Sequence, residues 1–313
     1  MLGLLRGSSY SEATMQPHKR ENSARVVIQV SLIVILICGA LNYDALLDQY
    51  ALATYHPDAQ LVAFQTRVTL TTAGKAKLYR SRPQFDEKAT FNTDCDTQPH
   101  ELELGCYFKG RIFVLQIANQ NLAPEMDVVA SHELLHSVWS SLSSGERIKI
   151  SAELERVYAL VATPDLKDRM AGYAKSEPGE EANELHSILG TEFAQLSPML
   201  EAHYSKYFSQ RSQIVAAHAA YQNVFDSRRL ELEKELAQIR AEKAQLASMN
   251  RLLENYRLNG QIAVYNVLVP KQNALVDDIN SRISTYSQGV DEYNGLSKSL
   301  DSQAITDTES KAQ

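Results

Sequence analysis

The stretch Val128 to Val138 reads VVASHELLHSV, which sets two imidazoles and a carboxylate into an otherwise apolar run. If the run is helical, His132 and His136 stand four residues apart on one face, and both can reach a single metal ion at about 2.0 to 2.1 Å. Glu133 projects at the edge of that face, where a carboxylate can take a proton from a metal-activated water. Val129, Leu134, Leu135 and Val138 suit a helix buried beneath a cleft. The competing account is a core helix that happens to hold two histidines. It would have to bury Glu133 unpaired, which is costly.

Just upstream, CYFKGRIFVLQI from Cys106 to Ile117 gives two β-rich runs broken by Lys109-Gly110, a hairpin signal. Cys95 and Cys106 bracket a short polar segment, and an even pair outside the membrane run predicts a disulfide. A zinc knuckle through His100 is disfavoured because no C-x-x-C spacing is present. Residues 61 to 70 fit a strand or a helix start, and Thr72-Ala73-Gly74 looks like a turn. Helical patterns run from Gly145 to Ala162, from Pro164 toward Tyr173, from Glu180 to Ser197-Pro198, and on through EAHYSKYF. The fold expected is α+β: a mostly helical domain over 43–208 with a small sheet.

A metal held by two histidines needs a third protein ligand and an open fourth position. No third histidine follows His136 closely; the next is His186, and acidic candidates are Glu180, Glu181, Glu184 and Glu192. The extended motif resembles the signature of the zincin metallopeptidases, and the missing third histidine resembles their gluzincin type. That resemblance implies a hairpin whose edge strand lies over the active-site helix and a glutamate ligand from a later helix. Asn183-Glu184 is similar to the Asn-Glu pair of thermolysin-type second helices, although Ile188 stands where those carry an aspartate. A closer resemblance, over about residues 106 to 208, is to the lethal-factor and Mlc-titration-factor type peptidases. Glu184, Glu192 and Pro198 match that pattern in order, with Leu185-His186-Ser187 replacing its aromatic pair. The resemblance implies Zn2+ on His132, His136 and Glu184, with Glu192 as the alternative third ligand and Glu133 as general base. The orienting role behind a ligand histidine then falls to Glu192 or Asp127. Tyr173, His203, Tyr204 and Tyr207 are candidates to stabilise an oxyanion, and His186 is expected to be a surface or core residue.

The chain has 313 residues, 44% of them hydrophobic, enough for one or two domains with a sizeable core. Only 13 Gly and 9 Pro favour long helices, and a net charge of -7 with both signs interspersed argues against nucleic acid as a partner. An apolar run of roughly 16 residues, Val26 to Leu41, follows Arg6, Lys19, Arg20 and Arg25 and precedes Asp44 and Asp48. The expectation is a basic cytoplasmic tail over 1–25, a transmembrane signal-anchor over 26–42, and everything beyond it outside, periplasmic or extracellular. Cleavage near Ala40 would instead give a secreted protein, and lipid attachment at Cys38 is disfavoured by bulky Ile37.

Beyond Ser209, Leu232, Ile239, Leu246 and Leu253 recur every seven residues, with Leu236, Lys243 and Asn250 between them. A later run from Val276 to Tyr293 keeps a three-four spacing, and Asn259-Gly260 and Pro270 favour a turn or break. An antiparallel helical hairpin over 209–302 is expected, a surface for a protein partner or self-association, followed by a frayed tail over 303–313. The sequence as a whole predicts a membrane-anchored zinc metallopeptidase acting on a peptide or protein substrate. Its rivals are a noncatalytic envelope scaffold and a zinc hydrolase of a cell-wall amide.

Overall fold

The computed structural model describes residues 18–95 and 104–300; most of the basic tail, the segment with His100 and the C-terminal tail lie outside the described residues. The chain divides into two compact units, Met1–Tyr50 and Ala51–Gln313.

In the first unit α1 spans His18–Leu41, and α2 (Tyr43–Thr54) begins just after it. The apolar side chains from Val26 to Ile37 are exposed. No single described helix is long and apolar enough to cross a membrane; Arg25–Gly39 and Tyr43–Thr54 pass that test only together, as a pair bent by 72°. The segment 26–42 expected to span the membrane thus falls almost wholly in α1, which does not pass this test alone; its apolar run of roughly 16 residues is at the short edge of what crosses a hydrocarbon core.

The second unit is mostly helical around a three-stranded sheet. Helices α3 (Ala59–Arg67) and α4 (Thr72–Arg80) lead to β1 (Gln84–Asp86), α5 (Lys88–Asp94), β2 (Gly105–Phe108) and β3 (Arg111–Leu115). Residues 61–67 are thus helical, and Gly74 lies inside a helix, not a turn. Its place there is steric: a Cβ would sit 2.3 Å from the Tyr207 carbonyl oxygen. The sheet order is β1-β3-β2, with β2 antiparallel and β1 parallel to β3. Lys109 and Gly110 both have positive φ, 51° and 79°, as a two-residue hairpin turn demands. Cys95, at the end of α5, and Cys106 on β2 form the expected disulfide.

The helical remainder comprises α6 (Glu125–Ser141), α7 (Ser144–Val161), α8 (Pro164–Ser176), α9 (Glu181–Glu192), α10 (Pro198–Tyr204), α11 (Ser212–Leu258) and α12 (Ile262–Leu300). Starts are set locally: Asp58, Thr71, Ser143, Thr163 and Ser197 each cap a helix through their side-chain oxygen, and Pro164 and Pro198 fill first-turn positions. Helix α6 packs against β2, β3, α4, α9 and α11, so it is apolar nearly all round. Leu134, Leu135 and Val138 have no solvent exposure, and each contributes on the order of 2 kcal/mol by burial.

Helices α11 and α12 run antiparallel, with Arg228 paired to Glu292, Arg282 to Glu235 and Glu242, and Gln272 to Asn250 in descending register. The reversal is at Asn259-Gly260; Pro270 lies within α12 and does not end it. Pro270 and Asn266 are both exposed, so the carbonyl that loses its helical donor is left to water. The buried seam includes Ile239, Leu253, Ile279 and Gly289, but Lys243 and Asn250 are exposed and half-buried Glu242 and Met249 replace them. The hairpin belongs to the same compact unit as the rest: Ile214 at its base enters the main core and Leu300 packs with Ile117 and Leu122.

Candidate metal centre

Helix α6 presents His132, Glu133 and His136 toward a cleft of about 850 Å³, whose walls include β2, Tyr173 of α8, and Asn183 and Glu184 of α9. Helices α6 and α9 approach closely because Gly190 has no side chain; a Cβ there would lie 2.4 Å from Leu135 Cδ1 and 2.8 Å from Tyr204 Cε1. That approach carries Glu184, in the first turn of α9, onto both imidazoles. Its carboxylate oxygens lie 3.5 Å from His132 Nε2 and 3.3 Å from His136 Nε2.

His132, His136 and Glu184 each offer one ligand atom, all within 4.8 Å of one another, and together they could hold a metal ion. Donors placed tetrahedrally around an ion at ~2.1 Å are about 3.4 Å apart, close to the two distances just given. The tautomer also fits. His136 Nδ1–H donates to Asn183 Oδ1 at 2.9 Å, with Ser187 Oγ at 3.4 Å, which leaves the Nε2 lone pair aimed at Glu184. Asn183 is itself oriented, since its Nδ2 donates to Glu180 Oε2 at 3.0 Å. Asn183 thus has the orienting role for which Glu192 and Asp127 were the expected residues. The sequence signal was the Asn-Glu pair, whose asparagine sits a residue before Glu184.

Charge in the cluster follows from burial and neighbours. Burial, then the proximity of His132, pushes the His136 imidazole down to about 4, so it is neutral as a ligand must be. For His132 burial also lowers, but the bond to Glu184 and the charge of Glu133 outweigh it and raise the imidazole above its ordinary value. Burial would raise the Glu184 carboxyl, yet the two histidines hold it below the usual range, so it is ionised. A dication would displace the His132 proton and satisfy the same carboxylate.

Glu133 is buried to 6% exposure beside Gly105 of β2, where a Cβ would come within 3.0 Å of Glu133 Oε1 and 2.4 Å of Val129 Cγ1. Gly105 therefore sets how closely the edge strand lies on the carboxylate. Tyr173 lines the same cleft, and burial and the Glu184 charge raise its phenol, which stays protonated and able to donate.

The other expected residues lie elsewhere. Glu192 is eight residues past Glu184, about 12 Å along the helix axis. Arg169 of α8 holds it through two bonds of 2.7 Å, and His218 of α11 is 3.6 Å away. His218 also lies 3.6 Å from Glu125, a buried bridge between α11, α6 and α9 that the sequence did not signal. Asp127 is held bidentately by Arg67 at 2.6 and 2.7 Å. His203, Tyr204 and Tyr207 are buried in the core around His186, whose Nε2 is 2.8 Å from His203 Nε2 and whose carbonyl accepts from the Tyr204 hydroxyl. His186 is a core residue, its ring centroid 5.3 Å from that of Trp139 with the planes tilted by 43°. Compared with protein-family models, with curated proteins and with solved structures, the chain matches none.

Proposed function

We propose that this chain is a membrane-anchored zinc metallopeptidase with an active site built on α6 and α9. The observation that carries the reading is the convergence of His132, His136 and Glu184 within 4.8 Å at the wall of a cleft that also holds Glu133. The three would hold Zn2+, which when bound polarises a carbonyl and makes a water acidic near neutral pH. Glu133 accepts the proton of the attacking water as its oxygen bonds to the peptide carbonyl carbon. It returns that proton to the amide nitrogen as the C–N bond breaks, so the carboxylate is regenerated. The Tyr173 phenol donates to the oxyanion that develops on the carbonyl. Asn183 holds His136 in one tautomer and orientation. Strand β2 sits at one edge of the sheet beside the cleft, and an extended substrate would align its backbone along that edge.

The exposed apolar row from Val26 to Ile37 supports membrane attachment, and the Cys95–Cys106 disulfide supports an oxidising compartment for the second unit. Replacing Glu133→Gln should leave bound zinc unchanged and lower hydrolysis of an unfolded protein substrate by about two to four orders of magnitude. Undiminished cleavage by that variant would refute the role of Glu133. A wild-type chain that binds zinc and cleaves a cell-wall amide, but no protein, would reassign the substrate.

A further inference from the structure

We infer that the tip of the α11–α12 hairpin docks on an anionic lipid surface. From Leu258 to Pro270 the sequence LNGQIAVYNVLVP carries no charge, although the helices on either side are densely charged. Every residue from Arg257 to Val264 is exposed, and the apolar ones among them stand open: Leu258 is 69% exposed, Ile262 51%, and Val267 just beyond is 64%. Exposed apolar side chains in a row of this kind mark a contact surface, not a soluble helix end. Apolar side chains exposed at the end of a helical hairpin are accommodated by a fluid bilayer.

Backbone chemistry fits the same environment. The turn closes with Gln261 N–H on the Tyr256 carbonyl and Gly260 N–H on the Arg257 carbonyl, with Gly260 at φ 70°. Asn259, Ile262 and Tyr265 also donate their amides within the tip, and Asn259 Nδ2 donates to Asn255 Oδ1. These donors reach the headgroup boundary already satisfied. The rim is basic: Arg251, Arg257 and Lys271 against Glu254 give a local charge of +2 over residues 251–271, in a chain of net charge -7. Glu254 is bound by Arg257, and among the described residues neither Arg251 nor Lys271 has an ion-pair partner. Tyr256 and Tyr265, half-buried, flank the turn and suit the headgroup level. An apolar point with basic flanks is the pattern that binds anionic bilayers. The inference does not depend on the catalytic reading, because no residue of the metal centre takes part.

The test uses the full chain carrying Val264→Trp with phosphatidylcholine vesicles, with and without phosphatidylserine, whose acyl chains are brominated. The only native tryptophan, Trp139, is buried, so the difference from wild type reports the tip alone whatever α1 does in the bilayer. The added indole emission should shift to the blue and be quenched several-fold more with phosphatidylserine than without. Adding Ile262→Asp and Val267→Asp, at exposed positions that the fold does not use, should abolish the quenching. Unquenched emission on the anionic vesicles overturns the inference. So does a shift that grows with protein concentration in the absence of lipid, which assigns the tip to a second copy of the chain.

Discussion

His136 is fixed from behind by Asn183 and faced by Glu184, so three side chains from two helices define one point in space. Tyr173 approaches that point from α8 as a protonated phenol. If it stabilises the oxyanion, Tyr173→Phe should lower kcat by about two to three orders of magnitude with KM and bound zinc unchanged. A raised KM with unchanged kcat would make it a binding residue instead. A second residue-scale expectation concerns His203, which burial and the charge of Lys206 lower to about 4 while Glu146 pulls the other way; the His186 imidazole 2.8 Å from it is neutral as well. The unfolded chain takes up that proton near the ordinary value of 6.5 and the folded chain only near 4. Stability is therefore full above 6.5 and declines as pH falls toward 4, by about 1.4 kcal/mol per pH unit for this one group. Urea unfolding across that window should show the slope, and His203→Gln should reduce it; an unchanged slope would remove His203 as its source.

At the scale of elements, the contact between α6 and α9 decides whether the centre forms. Gly190→Val inserts a branched side chain where even a Cβ meets Leu135 and Tyr204, at a cost of about 1 to 3 kcal/mol. It should also weaken zinc binding, measured by competition with a chelator, because it levers Glu184 away from the histidines. Unaltered affinity would mean that the ligands can reach the metal without this helix contact. Much of α6 was legible, since an apolar run with His132, Glu133 and His136 at helical spacing announces both its burial and the placing of two histidines on one face. So was the hairpin, from Lys109-Gly110 between two β-rich runs. Strand β1 was not: three residues carry no alternation, and its parallel pairing with β3 is a long-range choice. The Pro270 break failed because a proline on the solvent side of a long helix leaves only one carbonyl to water.

For the whole molecule, heptad spacing made the antiparallel pair legible but hid its attachment. Its base joins the core through Ile214 and the Glu125–His218–Glu192 bridge, contacts between residues far apart in sequence that no local pattern signals. The choice between Glu184 and Glu192 stayed open in the sequence for the same reason: both are acidic residues on one helix, and only the bonds from Arg169 show that Glu192 is engaged elsewhere. The direct measurement is the zinc content of purified full-length chain by mass spectrometry, for wild type, Glu184→Ala and Glu192→Ala. The account predicts about one zinc per chain in wild type and in Glu192→Ala, with loss in Glu184→Ala. Full zinc in Glu184→Ala, or none in wild type, would contradict it.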